Sequence, residues 1–257
     1  MQFAITILGS GAAIPLAERN PTAQLLQLDK RKFLLDCGEG TQMQIRRFSA
    51  RPQQISHIFI SHLHGDHFYG LIGLINTFHL LNRKSELHLY GIPALKEIID
   101  MQMEHSNTSL NYSLIFHPVD PEKSQAIFED DQVSVHTIPL VHRIPTCGFL
   151  IREKTGKQRS YAYCTDTVYS EKIIPMIRNS DVLYHEATFT HDRQADARAK
   201  FHSTAREAAT IALKAGVKKL LIGHYSARYK ELDELLEEAR TVFPETHLAT
   251  DGLKIQI

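Results

Sequence analysis

Positions 61 to 67 read SHLHGDH, which crowds His62, His64, Asp66 and His67 into one short stretch. On a strand or extended loop, residues i and i+2 point to the same side, so His62 and His64 can converge on one ion. Gly65 permits a sharp turn, after which Asp66 and His67 can face a second ion. Imidazole and carboxylate ligands suit zinc, with manganese or iron as other candidates. The stretch follows the apolar run ISHIFIS and precedes the apolar run GLIGLINTFHLLNR. Loops between a buried strand and a helix are where α/β sheets carry their active sites, and a histidine-rich surface loop has no need of that position.

Two ions require further ligands, and these should come as His, Asp or Glu from other strand ends. Three residues satisfy that rule: His142 after VSVHTIPL, Asp166 after YAYCT and His224 after KKLLIG. The rest of the chain agrees with this placement. FAITILG reads as a strand, and TAQLLQLDKRKFLLDCG as two strands turning near Asp29 and Lys30. GTQMQIRRFSA reads as a short helix, ELHLYG as a strand and PALKEIIDMQMEH as a helix with Pro93 in its first turn. In the second half, hairpins turn at Asp130-Asp131 and near Gly156. Helix EKIIPMIRNS, strand VLYHEAT, helix TAREAATIALKAG, strand KKLLIGH, helix ELDELLEEARTVF and a strand in LKIQI follow. Hairpins followed by α/β alternation point to two sheets packed face to face with helices outside. No repeat, low-complexity tract or linker-like shift divides the chain, so residues 1 to 257 are expected to form one domain.

Composition narrows the function. Lys plus Arg and Asp plus Glu both number 29, so no global basic charge argues for nucleic acid. The three cysteines, Cys37, Cys147 and Cys164, are odd in number and form no CxxC motif, which fits a reducing cytoplasm. The N-terminal stretch lacks the basic and apolar regions of a secretory signal, and no run is long and apolar enough to span a bilayer.

These motifs make the chain resemble the metallo-β-lactamase superfamily, and within it the ribonuclease Z family of transfer-RNA 3′ endonucleases. The similarity runs nearly end to end through LGSGAAIPLAERNPTAQLL, LLDCGEGTQMQIRR, FISHLHGDHFYGLIGL, YCTDT, HEATF, HSTAREAATIALKAGVKKLLIGHYSARY and the terminal ATDG. HxHxDH names the superfamily, whereas HEAT and HST ahead of a helix point to the ribonuclease Z branch and away from β-lactam hydrolysis. The resemblance implies a four-layer αββα sandwich with two zinc ions per chain. His62, His64 and His142 would bind one ion and Asp66, His67 and His224 the other, with Asp166 bridging. It implies that Asp66 orients or deprotonates the attacking water. His202 would donate a proton to the leaving 3′ oxygen, supported by Glu186. His202 precedes an S/T-x-x-E capping box at Thr204 and Glu207, and a helix start there favours a nearby phosphate. Arg19 and Asn20 match a family loop that helps read the RNA end. His57, His185 and His191 draw no assignment.

The implied activity is endonucleolytic removal of 3′ trailers from precursor transfer RNA by a cytoplasmic homodimer. One feature departs from the family. A long arm that grips the transfer-RNA body normally lies between the positions of His142 and Asp166. Here that interval holds only the hairpin CGFLIREKTGKQRSYAYC, with Arg152, Lys154, Lys157 and Arg159 as its basic residues. The short hairpin keeps open an alternative substrate class, small or cyclic nucleotide phosphodiesters.

Overall fold

A computed structural model describes residues 2 to 48 and 51 to 257. Its strands form two seven-stranded sheets. Residue contacts divide the chain into two compact units, Met1–Asp120 with Asp251–Gln256, and Pro121–Thr250 with Ile257.

The first unit holds strands β1 (Phe3–Gly9), β2 (Ala23–Leu28), β3 (Arg31–Leu35), β4 (Ile55–Phe59), β5 (Leu87–Gly91), β6 (Leu114–Pro118) and, from the end of the chain, β14 (Lys254–Gln256). Their order is β14-β1-β2-β3-β4-β5-β6. β1, β2 and β3 form an antiparallel meander, turning at Asp29 with φ 52°, and β3 to β6 run parallel. Both faces of the central strands are apolar and buried, as parallel strands require. Leu34, Ile58, Ile60 and Leu89 pack against Ile45, Leu74, Ile75, Phe78 and Leu95 from the helices, while Phe3, Ile5, Phe33 and Phe59 are buried on the opposite face.

The second unit repeats the plan. It contains β7 (Ala126–Glu129), β8 (Val133–Pro139), β9 (Cys147–Glu153), β10 (Ser160–Cys164), β11 (Val182–Glu186), β12 (Lys219–Gly223) and β13 (Thr246–Leu248). β7 to β10 pair antiparallel, and β10 to β13 run parallel. The helix Ala205–Ala215 covers this sheet with Ile211 and with Ala208, Ala209 and Ala212, whose small side chains let it pack on Leu183, Leu220 and Ile222. Its capping box forms as expected: Thr204 Oγ1 accepts from Glu207 N at 3.2 Å, and Glu207 accepts from Thr204 N at 2.9 Å. Gly216 ends the helix at φ 64°, the left-handed conformation that a residue without Cβ adopts at least expense.

Most sequence-based elements are present, including Pro93–His105, where Pro93 starts the helix because its missing N–H has no partner to lose. The differences have local causes. EKIIPMIRNS is not one helix but a 3₁₀ turn, Glu171–Ile173, followed by a short α-helix, Ile174–Ile177, with Pro175 at its start. Half-buried β6 and three-residue β13 lack the strong apolar alternation that marks a strand. The short helix expected in GTQMQIRRFSA spans Thr41–Arg47, and Ser49 and Ala50 lie outside the described residues. The sharp turn expected at Gly65 takes the form of the short helix Gly65–Phe68, where a Cβ would lie 2.2 Å from the Tyr69 ring.

Candidate metal centre

In the first unit the donors follow β4, and β3 braces them. Just beyond β3 stands Asp36, a fully buried carboxylate held at φ 56°. Asp36 Oδ1 accepts from Ser61 N at 2.7 Å. Its Oδ2 accepts from Ser61 Oγ at 2.9 Å and from His67 Nδ1 at 2.8 Å. With its proton directed to Asp36, Ser61 Oγ can accept from His62 Nδ1 at 2.9 Å. One carboxylate therefore fixes two imidazoles, His67 directly and His62 through a hydroxyl, and leaves Nε2 of each as the acceptor nitrogen. His62 Nε2 lies 3.1 Å from His64 Nδ1, and His67 Nε2 lies 3.4 Å from Asp66 Oδ2. Asp66 Oδ2 also accepts from Ala13 N at 2.8 Å. Gly38 and Gly70 allow the loop after β3 to lie against this segment, because a Cβ on Gly38 would sit 2.4 Å from Asp66 O and one on Gly70 2.1 Å from Gly38 O.

The second unit carries the same device. Buried Glu186, the last residue of β11, accepts from His202 Nδ1 at 2.8 Å and Thr167 N at 2.9 Å on one oxygen. Its other oxygen accepts from Thr188 Oγ1 at 2.7 Å and Thr188 N at 3.2 Å. Thr188 Oγ1 can in turn accept from His224 Nδ1 at 3.0 Å. Here too a carboxylate holds one histidine directly and a second through a hydroxyl. Asp166, just beyond β10, presents Oδ1 at 3.1 Å to His224 Nε2 and Oδ2 at 3.5 Å to His142 Nε2. Thr165 Oγ1 donates to Asp166 Oδ1 at 3.1 Å. His142 Nδ1 donates to Phe201 O at 2.9 Å. The His202 ring lies 5.3 Å from both the His142 and the His224 rings.

The donor chemistry fits transition-metal ions. A tetrahedral zinc site with bonds of 2.0–2.2 Å separates its ligand atoms by about 3.3–3.6 Å, and the donor pairs above lie between 3.1 and 3.5 Å. Burial, outweighing the Asp166 carboxylate, holds His142 below the usual histidine range, so it presents a neutral nitrogen at neutral pH. Burial also pushes the Glu186 carboxyl up, but His202 and then His224 outweigh it and keep Glu186 ionised. Cysteine chemistry finds no support here: all three thiols are buried, and burial pushes that of Cys37 up to about 12.

Four non-glycine residues with positive φ touch these groups: Ala13 at 57°, Asp36 at 56°, Phe201 at 61° and His224 at 58°. That conformation costs a residue with a Cβ roughly 1–2 kcal/mol, and such strain gathers where a site must hold a particular geometry.

The structure gathers His62, His64, Asp66 and His67 in the first unit and His142, Asp166, Glu186, His202 and His224 in the second. Sequence reasoning assigned no role to Asp36, Ser61, Thr188 or the Phe201 carbonyl. Asp36 obeys the strand-end rule that selected the other ligands, and Thr188 belongs to the HEAT motif itself. Asn20 donates through N and Nδ2 to Asp251 Oδ2 at 2.8 and 3.0 Å, which gives the terminal ATDG motif a bracing role, and Arg19 is buried. His185 is buried, with Nδ1 2.8 Å from Glu186 O.

Comparison with known proteins agrees with this geometry. Residues 3–247 match the family model described as Anti-Pycsar protein Apyc1. The chain is 41% identical over 286 aligned positions to a ribonuclease Z of Azobacteroides pseudotrichonymphae, covering 100% of this chain and 99% of that protein. It is 39% identical over 302 positions to the ribonuclease Z of Bacteroides fragilis, with the same coverage. Both alignments are longer than the 257 residues here, so these relatives carry positions that this chain lacks. The crystal structure of human tRNase Z, short form, superposes with a TM-score of 0.86 at 33% identity, covering 98% of each chain. The metallo-β-lactamase fold protein YhfI from Bacillus subtilis shares the fold, with a TM-score of 0.83 at 22% identity over 100% of both chains. The α/β sandwich class expected from the sequence is the fold of these neighbours. By full-length identity, family model and fold together, the chain belongs to the family that includes Apyc1 and ribonuclease Z, metal-dependent hydrolases with the metallo-β-lactamase fold.

Proposed function

We propose that the protein is a ribonuclease Z-type phosphodiesterase that removes 3′ trailers from precursor transfer RNA in the cytoplasm. In this reading residues 1 to 257 act as a single domain. His62, His64 and His142 would hold one zinc ion and Asp66, His67 and His224 a second, with Asp166 shared by both; manganese or iron could take the place of zinc. The ions would supply Lewis acidity toward the phosphoryl oxygens and toward water, so that no side-chain nucleophile is needed. Asp66, steadied by the Ala13 N–H, orients the attacking water and accepts its proton. His202 keeps Nδ1–H on Glu186, which directs Nε2 to deliver a proton to the leaving 3′ oxygen, and the Glu186 carboxylate stabilises the imidazolium before transfer. The observation that carries the reading is this 2.8 Å pair, with its histidine ring 5.3 Å from the two imidazoles that flank Asp166.

RNA as substrate is supported by exposed cations beside His202. Lys200 Nζ and Arg228 Cζ lie 5.6 and 5.0 Å from the centre of the Phe189 ring, which is itself 6.3 Å from the His202 ring. A homodimer could enlarge the RNA-binding surface, and exposed Met43 and Tyr69 of the first unit are apolar residues that a partner could cover. The second reading, hydrolysis of small or cyclic nucleotide diesters, is favoured by the tight β9–β10 hairpin that stands where an arm would leave the fold. Incubating the metal-loaded protein with precursor transfer RNA and bis-p-nitrophenyl phosphate in parallel tests both. Hydrolysis of the small diester alone would favour the second reading, and hydrolysis of neither would refute both.

A further inference from the structure

We infer that Phe201 is a stacking platform for a nucleobase next to the scissile phosphate, and so sets preference for nucleotide over plain diesters; this rests on the phosphodiesterase reading above. Phe201 stands immediately before His202, and its backbone is held at φ 61°. The conformation has a use, since it aims the Phe201 carbonyl at His142 Nδ1, 2.9 Å away. That use needs no side chain. Glycine would give the same carbonyl without steric penalty, because only a Cβ makes a left-handed backbone costly. A phenyl ring at such a position calls for a compensating role.

Core packing does not supply that role. Phe201 is 36% exposed. It is absent both from the buried apolar cluster of its unit and from the partly buried residues packed on that cluster. Its ring contact among the described residues is an edge-on one with His142, at 6.4 Å and 88°. The ring thus stands against a candidate metal ligand and next in sequence to the candidate proton donor, with surface open to solvent. Nucleobases bind such rings because every base has a π-face, which gives affinity without a sequence requirement. The adjacent Lys200 and the nearby Arg228 add positive charge for the flanking phosphates. An endonuclease that accepts varied trailers would need this kind of base recognition.

The test compares three esters with the same p-nitrophenolate leaving group: thymidine 3′-(p-nitrophenyl phosphate), thymidine 5′-(p-nitrophenyl phosphate) and methyl p-nitrophenyl phosphate. The quantity read is the ratio of kcat/KM for each nucleoside ester to that for the methyl ester. It is measured in the wild-type holoenzyme, in Phe201→Gly, which preserves the backbone conformation and the carbonyl, and in Phe201→Tyr, which preserves an aromatic face. Phe201→Gly is expected to lower the ratio roughly 5- to 150-fold for at least one nucleoside ester, and Phe201→Tyr to restore it. A merely structural role would depress all three esters together and leave the ratios unchanged, which would overturn the inference. A wild-type ratio near unity for both nucleoside esters would overturn it too, while leaving the hydrolase reading intact. Wild-type enzyme inert toward every ester would instead overturn the hydrolase reading, and the inference with it.

Discussion

Glu186→Gln removes a negative charge and turns one acceptor into a donor inside a side chain with no solvent exposure. The carboxylate accepts four hydrogen bonds, from Thr167 N, His202 Nδ1, Thr188 N and Thr188 Oγ1, at 2.9, 2.8, 3.2 and 2.7 Å. The amide can satisfy one pair as an acceptor. If its NH₂ faces Thr167 and His202, the Thr167 N–H meets another donor and the imidazole must move its proton to accept. If its NH₂ faces Thr188, the hydroxyl can accept and turn its own proton to His224 O, 2.9 Å away. Only the longest bond, from Thr188 N, is then lost. The second orientation disturbs less, and leaving one buried N–H without its acceptor costs about 1–3 kcal/mol. In a chain of this size each kcal/mol lowers Tm by about 2–4 °C, so the variant should melt about 2–12 °C below wild type. The larger consequence is kinetic, because the His202 imidazolium loses its counter-charge. Cleavage of RNA, whose alkoxide leaving group needs a proton, should slow about 10²–10⁴-fold. Hydrolysis of bis-p-nitrophenyl phosphate should suffer much less, since p-nitrophenolate leaves unprotonated. Thermal melts, metal analysis and both rate assays on one preparation decide the matter. An unchanged Tm, or equal losses on the two substrates, would refute the reasoning.

His202→Ala should retain metal and show the same leaving-group dependence, which parallel assays of RNA and the p-nitrophenyl diester would read. Asp166→Ala should lose metal content by elemental analysis, because it removes oxygens 3.1 and 3.5 Å from His224 and His142; Asp66→Ala should abolish hydrolysis, and retained activity would contradict its role. Arg159→Met strands buried Glu153, whose carboxyl is held below the usual range foremost by its hydrogen bond from Arg159, at 2.8 Å. A carboxyl with a depressed folded pKa stabilises the fold above its unfolded pKa of about 4.3 and loses that contribution as pH falls through the folded value. The variant should therefore be about 3–5 kcal/mol less stable at neutral pH, with the gap closing in acid, as urea melts across pH would show. Precursor transfer RNA should bind weakly with a shallow salt slope, since a short hairpin neutralises few phosphates; a steep slope in a salt titration would point to a basic surface that replaces the arm.

Local rules made much of this chain legible. Apolar runs gave the central strands, Pro93 the start of a helix, and Thr204 with Glu207 the start of another. Spacing alone proposed that His62 and His64 meet, and their nitrogens lie 3.1 Å apart. The weak elements, β6 and β13, went unread because residues that are only half covered carry little alternation.

Residue type and strand-end position determined which side chains could be metal donors, because ligand chemistry belongs to the side chain and strands are set by the local pattern of apolar residues. Tertiary structure alone decided how those donors are held. Asp36 reaches Ser61 and His67 because β3 and β4 are parallel neighbours that end together. Glu186 reaches His202 and Thr188 because β11 lies between β10 and β12, with the helix start of Thr204 folded back beside Phe189. Sheet order and backbone conformations such as φ 61° at Phe201 depend on partners far along the chain. A sequence records such partners as residues, whereas their distances exist only once the sheets have formed.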